Sequence, residues 1–307
     1  MSNWRVALAG LVVLTLLAAC GSTGVTARAA SGSFPLTMQM TTGTVTIPHR
    51  PSRIVSLSPS ATQDLFAVGA GKQVVAVDSY STYPPQAPHT SLSAFTPNIE
   101  AIAGYRPDLV VIATDSDNIV TQLGNLEIPV LVEPAAADLN GAYAEIRQIA
   151  RATGHLAQAA AVVTRMQRQV RLILKSVPPS SRPLRVYHEL DQTYFSATSR
   201  TFVGQLYKLL GLRNIADQVP ASTNYPQLSA EYIISADPDI IVLADTACCG
   251  QSLATVKARP GWGAIAAVRT GAVVPVDDSI ASQWGPRVVL FLQAIVAGLR
   301  NLEKAAA

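Results

Sequence analysis

The feature that most restricts the fold of this chain is a repeat within its own sequence. Glu100-Ala101-Ile102 through Pro107-Asp108-Leu109-Val110-Val111-Ile112-Ala113 aligns with Glu231-Tyr232-Ile233 through Pro238-Asp239-Ile240-Ile241-Val242-Leu243-Ala244 at an offset of 131, with six of fourteen residues identical. Upstream, Arg50-Pro51-Ser52-Arg53-Ile54-Val55 aligns with Arg182-Pro183-Leu184-Arg185-Val186-Tyr187 at an offset of 132. Two pairings at almost one offset describe two units of similar build. In each copy a short helix bearing a glutamate near its start is followed by a Pro-Asp turn and a continuous apolar run, the pattern of a strand buried on both faces.

The rest of the chain fits that frame. Thr41–Ile47 is β-rich and reads as a hairpin. Arg53–Leu57 reads as a buried strand, and Ser58-Pro59 as a helix start, with a capping hydroxyl followed by proline at the first helical position. Val74–Val77, Leu109–Ala113 and Val130–Val132 read as further strands, and Thr96-Pro97 opens a helix. From Leu139 to Val177 the pattern is helical, broken at Thr153-Gly154, and Leu156–Val177 contains no Gly or Pro. Alternation then resumes with strands at Leu184–Tyr187, Ile240–Ala244 and Val273–Val276, and helices at Phe202–Leu210 and Arg287–Leu299. Strands alternating with helices imply parallel sheets. The expected fold is α/β, with two Rossmann-like βα lobes (34–154 and 181–307) joined by a single long backbone helix (155–180).

The first residues are set apart. Arg5 precedes Val6–Ala19, apolar except for Thr15. At ~1.5 Å per residue this stretch falls short of a ~30 Å bilayer core, so residues 1–19 read as an export signal. Leu17-Ala18-Ala19-Cys20-Gly21 resembles the lipobox of bacterial lipoproteins, which implies lipidation of Cys20. Residues 20–33 are mostly small, a flexible tether. The expected location is the outer face of the cytoplasmic membrane, held by lipid. The chain is 49% hydrophobic and 14% charged, with a net charge of +3 and no basic block, which argues against a nucleic-acid partner. No serine elbow, phosphate loop or nucleophile–base pair at motif spacing occurs, so an enzyme is not expected.

Arg53–Ser60, Ser79-Tyr80-Ser81-Thr82-Tyr83-Pro84-Pro85, Pro97-Asn98-Ile99-Glu100, Pro107–Val110, Pro238–Ile241 and Gly285-Pro286-Arg287 together resemble the substrate-binding proteins of ABC importers for iron complexes and vitamin B12. The likeness covers about 45–300 and lies in the order and spacing of motifs. It implies the class III periplasmic-binding-protein fold, a monomeric receptor without cofactor, and a ligand held between the lobes. It also implies docking of Glu100 and Glu231 on arginines of the permease subunits. Read without the resemblance, the same glutamates are helix-end electrostatics.

The Tyr80–Pro85 run is most similar to the B12 receptors and implies a corrinoid or an iron chelate as ligand. Flat aromatic walls suit such a ligand: Tyr80, Tyr83 and Phe95 in the first lobe, Tyr194, Phe195, Tyr225 and Trp284 in the second, with Arg287 beside Trp284. Phe95 departs from the B12 receptors, which have a tryptophan there, and Ser279 and Gln283 replace their acidic and basic pair. A ferric siderophore or haem is the alternative; Arg287, Arg200 and Arg53 would then meet its anionic groups. Four histidines are too few for a bare-metal receptor, although His188-Glu189-Leu190-Asp191 follows a strand and borders the expected cleft. Cys248-Cys249 reads as a structural loop with a ring disulfide or two thiols, or as a thiol contact to a ligand metal at the C-terminal end of a strand.

Overall fold

The computed structural model describes residues 33–40, 42–220 and 222–306. The export segment, Cys20 and all of the tether before Ser33 lie outside them. An antiparallel hairpin comes first, β1 (Leu36–Met40) and β2 (Gly43–Ile47). The first lobe follows as β3 (Ile54–Leu57), α1 (Pro59–Ala67), β4 (Val74–Asp78), β5 (His89–Leu92), α2 (Ile99–Gly104), β6 (Leu109–Ile112), α3 (Ile119–Gly124) and β7 (Val130–Val132). Its strands form one parallel sheet in the order β5-β4-β3-β6-β7. Helices α4 (Leu139–Thr153) and α5 (Leu156–Lys175) lead to the second lobe. There β8 (Arg185–Glu189), α6 (Phe202–Leu209), β9 (Arg213–Asn214), α7 (Ala230–Ala236) and β10 (Ile240–Leu243) precede α8 (Thr246–Cys249), α9 (Leu253–Lys257) and α10 (Ala266–Thr270). The chain ends with β11 (Val273–Pro275), α11 (Asp278–Ala281) and α12 (Val288–Ala306), and this sheet is parallel in the order β11-β10-β8-β9.

The repeat has a physical core. The Asp108 carboxylate accepts from the Ser52 and Arg53 amides, each at 2.8 Å, and so ties the start of β3 to the start of β6. Asp239 does the same in the second lobe, accepting from the Arg185 amide at 2.7 Å and from Arg182 at 2.8 and 2.5 Å. The two aligned blocks are therefore bonded to one another in each lobe. Burial pushes the Asp239 carboxyl up, but the Arg182 hydrogen bonds and the Arg185 amide outweigh it and leave the group below its ordinary range.

Strand residues alternate between two interiors, as the period of two requires. Ile54, Leu109, Val111, Val186, Ile240 and Val242 face one cluster that runs through both lobes and takes in α1, α4, α5, α6 and α12. Val55, Leu57, Val110 and Ile112 face outward under α2 and α3. Tyr187, Ile241 and Leu243 face outward under α7, α9 and Trp262. Helix α5 buries Ala159, Val162, Val163, Met166, Val170 and Ile173, spaced on one helical face. Its 20 residues span about 30 Å. Gly154 at φ 78° ends α4, and a side chain there would lie 2.9 Å from Arg50 Nε.

The helix expected to open at Thr96-Pro97 starts two residues later. Asn98 caps it, its side-chain oxygen accepting from the Ala101 amide at 2.9 Å, and Thr96 instead donates to Ser93. The edge strands β5 and β9 are additions to the expected pattern. β5 reads His-Thr-Ser-Leu and shows the short, polar composition of an edge.

Candidate ligand cleft and docking faces

In each sheet the strand order reverses beside the central strand, between β3 and β6 and between β8 and β10. In open parallel sheets the crevice outside the strand C-termini at such a point is where ligands sit. Around the first, Ser58 caps α1 through the Ala61 amide at 3.3 Å. Thr62 Oγ1 donates to Ser56 at 2.8 Å and lies 3.0 Å from Ser81 Oγ. Ser81 donates in turn to Asp78 at 2.5 Å. This fully buried chain pins the loop after β4 to α1 and so positions Tyr80 and Tyr83. Tyr80 and Phe95 stand out from the surface, 59% and 70% exposed, and meet edge to face with ring centroids 5.3 Å apart.

The second lobe closes on α1 through the segment after α11. Gln63 Nε2 donates to Gln283 Oε1, and the Trp284 amide donates to Ser60 Oγ at 3.2 Å. Arg287 lies over the Tyr83 ring, 4.2 Å from its centroid, and donates to Ser279 at 3.0 Å. Two expected ligand contacts, Tyr83 and Arg287, are thus brought together across the lobes. Beside this seam lies a cavity of about 340 Å³, walled by Ala135–Ala137 of the first lobe and by His188, Arg200, Phe202, Tyr225 and Trp284 of the second. A larger recess of about 440 Å³ is lined chiefly by side chains of α4, α5 and α6 rather than by strand-end loops.

His188 is wholly enclosed. Its Nδ1 is 2.6 Å from Tyr207 Oη, and its Nε2 has no partner among the described residues. Burial lowers its pKa to about 4, so the ring is neutral. Tyr225 lines the cavity and is 50% exposed. Phe195 is exposed and bridges backbone to backbone with Gln227, away from the cavity lining. Tyr194, at φ 71°, packs its ring on Trp262 at 5.5 Å and under Arg259 at 5.3 Å, beside the second interior of the second lobe. Arg259 also grips the buried Glu189 at 2.6 Å through both terminal nitrogens. Beside them Asp245 is pushed up to about 7 by burial first and by Glu189 second.

Sequence reasoning missed a group beneath Trp284. Asp64 of α1, Glu133 after β7 and Glu145 of α4 are buried, and no basic side chain pairs with them among the described residues. Burial, and then mutual repulsion, raises Asp64 well above the carboxylate range and Glu133 to about 9. Burial raises Glu145 to about 8, and the Trp284 indole offsets part of that rise. With its amide nitrogen turned inward, Gln148 donates to Glu133 at 2.7 and 3.1 Å. The signal present in the sequence was the polar stretch Ser60-Ala61-Thr62-Gln63-Asp64 directly behind a fully buried strand.

Glu100 and Glu231 both stand exposed in the first turns of α2 and α7. Ser229 caps α7 as expected, accepting from the Tyr232 amide at 3.1 Å. Cys248 and Cys249 are joined by a disulfide on α8, and Asp278 accepts from the Ala247 and Cys248 amides at 3.0 and 2.8 Å.

The family description "Periplasmic binding protein" matches residues 54–280. The "Cobalamin-binding protein" of Halobacterium salinarum is 36% identical over 267 residues, covering 84% of this chain and 72% of that protein. The "Uncharacterized ABC transporter substrate-binding lipoprotein YvrC" of Bacillus subtilis is 29% identical over 294 residues, covering 91% of each. The crystal structure of the periplasmic haem-binding protein HutB of Vibrio cholerae superposes with a TM-score of 0.70 at 25% identity, over 80% of this chain and 97% of that one. Two parallel-sheet lobes, a cavity lined from both of them and a match over most of the chain agree: this protein belongs to the periplasmic binding protein family of ABC-importer substrate receptors.

Proposed function

We propose that the protein captures a corrinoid between its lobes and presents it to an ABC permease, on which Glu100 and Glu231 dock. Lipidated Cys20 anchors it to the outer face of the cytoplasmic membrane, and no catalytic step is involved. What supports the ligand class is a set of uncovered aromatics, on the loops that follow β4 and β5 and at the cavity wall. Tyr80, Phe95, Tyr83 and Tyr225 are 59%, 70%, 41% and 50% exposed, with Trp284 half-buried behind them. Rings held open at the mouth of a crevice suit a broad, flat, partly apolar ligand. The Halobacterium relative named for cobalamin supports the corrinoid over other macrocycles. Haem is the second reading, favoured by the similarity to HutB and by Arg200, which suits an acidic macrocycle.

The test is titration of the full chain in detergent with cyanocobalamin, ferric haem and a ferric siderophore, followed by tryptophan quenching. Sub-micromolar, one-to-one binding of cyanocobalamin is expected. Preference for haem replaces the corrinoid reading, and failure to bind any of the three overturns the ligand class.

A further inference from the structure

We propose that the cavity beside the interlobe seam is an anion subsite, taking a negatively charged arm of the bound macrocycle on Arg200, the amino end of α6 and His188. The proposal rests on the reading of the cleft as a macrocycle site and adds which part of the ligand goes where.

Charge is the first support. Among the described residues, Arg200 is the one charged side chain lining the cavity, and no carboxylate lines it. Arg200 forms no ion pair among the described residues, and its side chain makes one long bond, 3.4 Å from Nη2 to the Thr223 carbonyl. An exposed guanidinium facing a recess with no acid keeps its donors free for an oxyanion.

Helix geometry is the second. The first turn of α6 forms part of the same wall. Thr201 accepts from the Gly204 amide at 3.1 Å, while the Phe202 and Val203 amides find no acceptor among the described residues. Free amides at a helix start favour an anion.

The third support is independent of both. His188 lies on the cavity wall at 0% exposure with Nε2 unpartnered. Tyr207 is fully buried and its hydroxyl has no acceptor other than His188 Nδ1 among the described residues, so it donates there and leaves the ring hydrogen on Nε2. A donor buried without an acceptor is costly, and a ligand oxygen or a water carried with it removes that cost.

Size limits what enters. About 340 Å³ is at the lower end of small-molecule sites, ~300–1,000 Å³, so the recess admits an arm and leaves the macrocycle in the cleft above. Two arms share the chemistry: the phosphodiester of the cobalamin nucleotide loop and the propionate carboxylates of haem.

The test compares ligands with and without the arm on the full chain in detergent. Wild type and Arg200→Ala are titrated with cyanocobalamin and dicyanocobinamide, which lacks the nucleotide loop, and with haem and haem dimethyl ester. Arg200→Ala is expected to weaken the armed ligand by about ten-fold and to leave its armless partner within about two-fold. Loss confined to cyanocobalamin assigns a phosphodiester; loss confined to haem assigns a carboxylate. His188→Phe, which keeps the ring packing, is expected to show the same selectivity, and thermal melting reports whether it folds. Equal effects on armed and armless ligands overturn the subsite while leaving the cleft intact. Wild type that binds none of the four overturns the macrocycle reading itself, and the subsite with it.

Discussion

Asp64, Glu133 and Glu145 are where single residues depart most from ordinary chemistry. Unfolded, the two glutamates lose their protons near 4.5; folded, Glu133 holds its proton to about 9 and Glu145 to about 8. The folded state therefore binds more protons across that interval. The stability these groups contribute is fully present below 4.5 and is lost as pH rises toward 8–9. The melting temperature should fall over that range, and Glu133→Gln with Glu145→Gln should flatten the fall while raising stability at the alkaline end. An unchanged slope in the double variant would place the pH dependence elsewhere. Only the polar stretch Ser60-Ala61-Thr62-Gln63-Asp64 hinted at this in the sequence. The three residues come from separate elements, and a charged residue on a helix such as α4 is ordinarily expected on the solvent face. Ser58-Pro59 was legible because a cap and a proline act on their own neighbours.

At the scale of the element, the repeat was readable and its cause was not. Buried parallel strands advertise themselves as apolar runs, so β3, β6, β8 and β10 were found. The Pro-Asp turns were visible as strand entries, but their carboxylates act on backbone 54–56 residues away in sequence. The packing of Tyr194 was hidden for the same reason, since its partners Trp262 and Arg259 come from distant parts of the chain. Asn98 displaced Thr96 as a cap because both are capping types and only one sits at the first turn. The braces can be tested in urea unfolding. Asp239→Ala strands the Arg185 amide and releases Arg182, and it should cost about 2–3 kcal/mol. Asp108→Ala, at a more accessible site and with no arginine partner, should cost about 1–2 kcal/mol. Losses no larger than that of an exposed Asp such as Asp117 would show that the turn, and not its carboxylate, holds the strands.

The whole molecule is stiff in a particular way. One interior runs through both lobes, and α5 lies along it with a continuous buried face. Two packed lobes sharing a core and a 20-residue helix favour small relative motions over wide hinge opening. Stiffness gives the two glutamates their meaning. Glu100 and Glu231 sit on repeated elements of separate lobes, so their spacing is set by the body and not by either side chain. Their placement by sequence alignment needed no structure, because each lies in its own copy of the repeat. Their exposure did need one. A rigid pair of acids suits a partner with two basic sockets, and binding at both converts two weak contacts into one oriented one. Glu100→Ala or Glu231→Ala alone should reduce ligand uptake in proteoliposomes holding the permease. The double variant should abolish uptake while ligand affinity stays within about two-fold of wild type. Both glutamates are exposed and neither lines the cavity, so loss of delivery without loss of capture is the expected outcome. A double variant that transports normally would remove them from docking, and one that loses ligand affinity would place them in the integrity of the cleft instead.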